Sequence, residues 1–276
     1  MSQPGSAAGL RLIPSKPPSA GESSTRTRRR GVYLLPSLFT MGNLFCGYAC
    51  VVHALRGEFA SGAALIGIAI VLDMLDGRVA RLTGTSTAFG VEFDSLADIV
   101  SFGVAPAILS FAWGLAPLGR LGWAAGFVFV AGAAVRLARF NISTGTQDKR
   151  YFAGMPSPAA AGIPAATVFA FPEGIHTSYS ALAVLAIVLV PGLLMVSTLR
   201  FRSFKSFDLG VRRTYPVLIV VAGAIALLVA QSEVVLMVLA YGYLASPFIG
   251  LVLQRVRRAG KDDTPVATPP PGEPAG

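Results

Sequence analysis

Residues 71–103 read VLDMLDGRVARLTGTSTAFGVEFDSLADIVSFG. Four aspartates, Asp73, Asp76, Asp94 and Asp98, stand in this stretch with Glu92 beside them, among residues otherwise apolar enough to lie in a bilayer. Asp73, Asp76 or Gly77, and Ala80 follow the three-and-four rhythm of one helix face. Asp94 and Asp98 are one turn apart on the next helix. The short linker between the two helices carries Gly84 and Gly90 as permissive points, so an antiparallel pair converges four carboxylates at one end of the membrane. A carboxylate inside a span is costly and by default functional. The other acids near apolar segments, Glu58, Glu173 and Glu233, fall in or beside expected turns.

The rest of the chain supports a membrane setting. Of 276 residues, 53% are hydrophobic and 13% are charged, about half the charge of a typical soluble domain. This excludes a soluble globular enzyme, a disordered chain and a typical nucleic-acid binder. Eight long apolar segments are expected, at about 34–55, 60–82, 94–114, 119–139, 156–172, 179–198, 214–231 and 234–254. Their length and lack of period-two alternation make them helices. The fifth is short and opens with Pro156 and Pro158.

The net charge of +9 resolves when it is sorted by membrane side. If the N-terminus is cytoplasmic and every segment crosses, 21 of the 23 basic residues lie inside and only Arg56 and Arg120 outside. That is the positive-inside pattern. It places both termini on the cytoplasmic face of the cell (inner) membrane, and the basic clusters face anionic phospholipid headgroups rather than nucleic acid. Residues 1–31 form an expected disordered basic tail with no signal peptide, 32–255 the membrane domain, and 256–276 a Pro/Gly-rich tail. Cys46 and Cys50, on one face of the first span, read as small packing residues.

Four neighbouring carboxylates repel unless neutralised. An all-oxygen ligand set suits Mg²⁺ or Mn²⁺, and two ions on shared carboxylates suit phosphoryl transfer. Gly77 and Ala80 leave room on the acidic face for a nucleotide or headgroup. Arg81, one turn beyond Gly77, is placed to contact phosphate.

The spacing Asp73-Met-Leu-Asp76-Gly77-Arg-Val-Ala80-Arg81, eight residues, Gly90, three residues, Asp94, three residues, Asp98 resembles the complete signature of the CDP-alcohol phosphatidyltransferase family. The resemblance implies an all-α polytopic fold with a six-helix core, to which this chain adds two C-terminal helices, and a homodimer. It implies that Asp73, Asp76, Asp94 and Asp98 hold two divalent cations, Mg²⁺ or Mn²⁺. It further implies that Asp98 is the general base and that Asp73, Gly77, Ala80, Arg81 and Gly90 form the CDP site.

Outside the signature, Leu35–Gly47, Val135–Asn141, Phe152–Ala161 and Met195–Lys205 resemble the branch of that family whose acceptor is L-serine. The expected reaction moves the phosphatidyl group of CDP-diacylglycerol to the serine hydroxyl and releases CMP. Serine carries a carboxylate, so an acidic pocket must supply positive charge beside it. Arg136 and Arg139 sit at the inner boundary for this purpose, with Thr40 and Asn43 as neutral polar groups. Arg200, Arg202 and Lys205 are candidates for lipid phosphate. The same core with another acceptor (glycerol 3-phosphate, inositol phosphate or choline) is the alternative. An ion-coupled transporter would instead place its acids near mid-bilayer between inverted repeats.

Overall fold

A computed structural model describes residues 23–84, 87–143, 151–175, 177–202, 227 and 230–262. The chain folds as an all-α, multi-pass membrane protein. Helix α1 spans Ser23–Leu55 and α2 spans Phe59–Thr83. Helix α3 (Ala88–Ile99) runs on through a π-helical turn (Val100–Val104), α4 (Ala105–Ser110), a second π turn (Phe111–Leu115) and a 3₁₀ turn (Ala116–Leu118). Then follow α5 (Arg120–Ser143), α6 (Ser157–Ala170), α7 (Ser178–Val196) and α8 (Ser232–Asp262).

Among the described residues, six stretches are long and apolar enough to cross a membrane: Ser37–Leu55, Phe59–Thr83, Ala88–Leu118, Arg120–Ile142, Ser178–Val196 and Ser232–Ile249. Each matches an expected segment. The third begins six residues ahead of the expected 94, because Thr87 caps it, its hydroxyl accepting from the Gly90 amide at 3.0 Å. The fifth expected segment is α6, with 14 residues, roughly 21 Å at 1.5 Å per residue and so short of the ~30 Å hydrocarbon layer. Expected segment 214–231 lies, but for 227, 230 and 231, outside the described residues, as do residues 1–22 and 263–276 of the two expected tails. Helix α1 already begins at Ser23, inside the stretch expected to be a disordered tail, and α8 runs on to Asp262 in the other.

Packing runs opposite to that of a water-soluble protein. Large apolar side chains such as Leu38, Phe45, Ile68, Leu121, Trp123 and Phe127 are exposed on the outer surface, where lipid lies. The interior is rich in small residues, including Ala54, Ala69, Ala97, Ala105, Ala133 and Ala160. Lipid is as apolar as leucine, so burial of bulk gives little drive in a bilayer. Small residues let backbones approach and gain dispersion contact instead. The clearest case is α5 against α7, where a Cβ on Gly132 would lie 2.5 Å from the carbonyl oxygen of Gly192. Cys46 and Cys50 are both buried and unpaired by disulfide, as their packing role requires.

The π turns have a cause in the sequence. Pro106 has no amide hydrogen, so the ladder cannot continue at that point. It relaxes by widening, and the Ala105 amide bonds Val100 O, five residues back. Pro117 follows the second π turn in the same way, where the Ala116 amide bonds Phe111 O.

Two three-residue strands, absent from the sequence expectation, join the loops after α5 and α7. Strand β1 (Tyr151–Ala153) pairs antiparallel with β2 (Arg200–Arg202), Phe152 opposite Phe201. Gly154 then turns the chain into α6 at φ +84°, where a Cβ would lie 2.4 Å from Met195 O. Only glycine fits there.

Candidate active site

The α2–α3 hairpin builds the acidic site. Helix α2 ends on Gly84, at φ 62°, whose amide caps Ala80 O, and α3 starts four residues later. The two helices therefore place Asp73 and Asp76 opposite Asp94 at their shared end. One carboxylate oxygen from each of these three residues lies within 4.8 Å of the other two. Asp76 is buried, and Asp73 and Asp94 are half-buried.

The donor set fits a hard divalent cation. It is all carboxylate oxygen, and oxygens so spaced can share an ion at roughly 2.1–2.5 Å each. Asp94 Oδ1 is buried and has no hydrogen-bond partner, an unsatisfied acceptor of the kind a cation satisfies. Among the described residues, no Lys or Arg forms an ion pair with any of the four aspartates, so their charge is not cancelled by direct contact.

Asp98 lies outside this three-oxygen group. It lies one turn further along α3, about 6 Å along the axis from Asp94, and is buried. Its Oδ1 accepts from Asn43 Nδ2 at 3.1 Å. It remains electrostatically linked to Asp73 and Asp94. Of the four aspartates read as ligands, Asp73, Asp76 and Asp94 bring one oxygen each within 4.8 Å of the others, and Asp98 is held by α1 within electrostatic reach of them.

The remaining signature residues line the same end. Arg81 is exposed and folds back over Gly77, where an added Cβ would lie 3.7 Å from both terminal guanidinium nitrogens. Its charge acts on Asp73 and Asp76. Ala80 and Gly90 are half-buried nearby on the two helices.

Of the residues proposed from sequence as acceptor contacts, two touch aspartates. Thr40 Oγ1 donates to Asp76 Oδ2 at 3.1 Å, and Asn43 donates to Asp98. Arg136 donates from Nη1 to Ser157 Oγ at 2.7 Å and interacts electrostatically with Asp98, Asp73 and Tyr243. It therefore faces the acidic site from α5. Arg139 donates from Nη1 to Val196 O at 2.8 Å, satisfying a carbonyl at the end of α7. Arg200 and Arg202 lie on β2. Lys205 lies outside the described residues.

Several participants had little signal in the sequence. Ser101 donates to Asn43 O at 2.8 Å from within the first π turn. Ser157 and Tyr243 flank Arg136, and Thr87 caps α3. Of these only Thr87 carried a local cue, as a threonine just ahead of an apolar run. The others depend on which helices become neighbours.

Comparison with known proteins agrees with this geometry. The profile described as CDP-alcohol phosphatidyltransferase matches residues 33–196, which contain all four aspartates. The CDP-diacylglycerol–serine O-phosphatidyltransferase of Helicobacter pylori is 42% identical over 179 residues, 63% of this chain and 74% of the relative. That of Mycobacterium leprae is 41% identical over 145 residues, 50% of this chain and 48% of the relative. The archaetidylserine synthase of Methanothermobacter thermautotrophicus is 34% identical over 169 residues, covering 60% and 69%. With its aspartates at the signature spacing and gathered at one end of a helical hairpin, this chain belongs to the CDP-alcohol phosphatidyltransferase family.

Proposed function

We propose that the protein transfers the phosphatidyl group of CDP-diacylglycerol to the hydroxyl of L-serine, giving phosphatidylserine and CMP. The observation that carries this reading is the three-carboxylate cluster on the α2–α3 hairpin, in a chain 42% identical to a serine phosphatidyltransferase. Relatives named for different lipids share serine in their names, which favours serine over other acceptors here.

Asp73, Asp76 and Asp94 would hold two divalent cations, Mg²⁺ or Mn²⁺, which neutralise the diphosphate and stabilise the charge that develops as CMP departs. Gly77, Ala80 and Gly90 leave space for the nucleotide, and Arg81 contacts its phosphate. Asp98 accepts the proton of the serine hydroxyl. The serine oxygen forms a bond to the β-phosphorus, which carries the diacylglycerol. The bond from that phosphorus to the oxygen shared with the CMP phosphate breaks, and CMP leaves with that oxygen. Arg136 supplies positive charge for the serine carboxylate.

The lipid stays in the bilayer while serine and CMP are water-soluble, so the site belongs at an interface. We place it on the cytoplasmic side of the cell membrane, with eight crossings, the short α6 and its flanking residues taken as one of them, and both termini inside, on the strength of the basic-residue asymmetry. The working unit is a homodimer.

The test incubates purified protein with CDP-diacylglycerol, Mg²⁺ or Mn²⁺ and a panel of alcohols, and follows CMP release. L-serine should support turnover, whereas glycerol 3-phosphate, inositol phosphate and choline should not. Release with one of those and none with serine would overturn the acceptor assignment.

A further inference from the structure

Helix α1 carries no carboxylate in its apolar span, yet it touches two of the four aspartates. Thr40 and Asn43 are buried and nearly one turn apart on it. Thr40 Oγ1 donates to Asp76 Oδ2, and Asn43 Nδ2 donates to Asp98 Oδ1, each at 3.1 Å. The two acceptors differ in kind. Asp76 belongs to the three-carboxylate cluster, and Asp98 does not.

The height of α1 along its neighbour is closely determined. Ser101 Oγ, on the turn after Asp98, donates to the backbone carbonyl of Asn43 at 2.8 Å. One turn further on, a Cβ on Gly47 would lie 2.5 Å from Ser101 Oγ and 2.8 Å from Ser101 Cα. The helices are therefore in backbone-to-side-chain contact, and α1 cannot slide along α3 without breaking both features. An ionised carboxylate only accepts hydrogen bonds, so the Asn43 amide must present its NH₂ to Asp98. Both bonds are charge-assisted when the aspartates are ionised, which makes them strong enough to select a rotamer.

We infer that Thr40 and Asn43 are positioning residues with separate tasks: Thr40 orients Asp76 for the cation cluster, and Asn43 orients Asp98 as the proton acceptor. This rests on the phosphatidyltransferase reading and deepens it. Held by Oδ1, Asp98 offers Oδ2 to the acceptor hydroxyl. The arrangement differs from the direct acceptor contacts expected from the sequence, and it makes a different kinetic prediction.

The experiment uses the full-length protein in nanodiscs, with Thr40→Val and Asn43→Leu as near-isosteric changes that delete one donor each. Mn²⁺ binding is read directly by electron paramagnetic resonance titration, beside kcat and KM for serine. Loss of a hydrogen bond to a charged group corresponds to a change of about 10- to 100-fold. Thr40→Val should weaken Mn²⁺ binding by about tenfold and raise the Mn²⁺ needed for half-activation in step, and Thr40→Ser should restore both. Asn43→Leu should lower kcat about 10- to 100-fold, with serine KM and Mn²⁺ binding changed less than about twofold.

If both variants moved the same quantities in the same proportion, the two residues would be packing elements only and the inference would fail. It would also fail if Asn43→Leu raised the serine KM at unchanged kcat, the signature of an acceptor contact. Should either variant not fold, Thr40→Ala and Asn43→Ala carry the same expectations without added bulk. Wild-type protein that binds Mn²⁺ but releases no CMP with serine would overturn the functional reading. The Thr40 arm would still be decided by the binding titration alone.

Discussion

Arg136 on α5 donates through Nη1 to Ser157 Oγ at the first turn of α6, at 2.7 Å. The bond fixes a guanidinium in the interior of the bundle, facing Asp73 and Asp98 across the site. A cation there lowers the repulsion among the acids, and in the proposed reaction it would offer the serine carboxylate a forked partner. Replacement by lysine keeps the charge but loses the fork, so Arg136→Lys should raise the serine KM about tenfold. The KM for CDP-diacylglycerol should stay within about twofold. Steady-state CMP release at varied serine checks this.

Asp98→Asn keeps the shape of the side chain and removes its capacity to accept a proton from the hydroxyl. General-base catalysis contributes roughly 10²- to 10⁴-fold, and kcat should fall within that range. The variant should elute and melt as the wild type does. Near-normal turnover in purified Asp98→Asn would remove Asp98 from the proposed role.

Chelation provides an independent check on the acidic cluster. Exhaustive treatment with EDTA should abolish CMP release, and Mg²⁺ or Mn²⁺ should restore it. Asp76→Asn should lift the cation concentration required for half-activation by at least about tenfold, because it converts a charged ligand to a neutral one. An Asp76→Asn protein with unchanged metal dependence would contradict the ligand assignment.

Gly77 tests space rather than charge. An added Cβ would meet Arg81 at 3.7 Å, an ordinary contact. Gly77→Ala should therefore fold with an unchanged melting temperature. It should raise the KM for CDP-diacylglycerol at least several-fold, since the new methyl occupies the face proposed for the nucleotide.

Helix packing makes the last prediction. Gly132→Ala would press its methyl against the backbone of α7 at Gly192, at 2.5 Å, and overpacking of this kind costs about 1–3 kcal/mol. Gly67 faces open space on α2, with nothing within 4 Å of an added Cβ. Thermal unfolding in detergent should show a clear loss for Gly132→Ala and little or no change for Gly67→Ala.

Much of this protein was legible before any coordinates. A bilayer leaves helices as the simplest way to satisfy the backbone of long apolar runs, so the segments expected at 60–82 and 94–114 follow from composition and length, and the Thr87 cap accounts for the earlier start at Ala88. Helical periodicity and a short linker then bring Asp73, Asp76 and Asp94 together, because those contacts are local to one hairpin. The register of α1 was not legible. Nothing in Thr40 or Asn43 says which carboxylate each will meet, since the partners lie 36 and 55 residues away.

The same holds for Arg136 with Ser157, for the β1–β2 pairing, and for the hold of α1 on Asp98. Read alone, the chain shows which residues can carry charge in the membrane and on which helical face they stand. That information is contained in hydropathy and period. Which donor serves which acid emerges only once the helices pack. Such pairing depends on the height at which helices pack, and that height is set by small residues such as Gly47 meeting Ser101, where contact between backbones leaves a single fit.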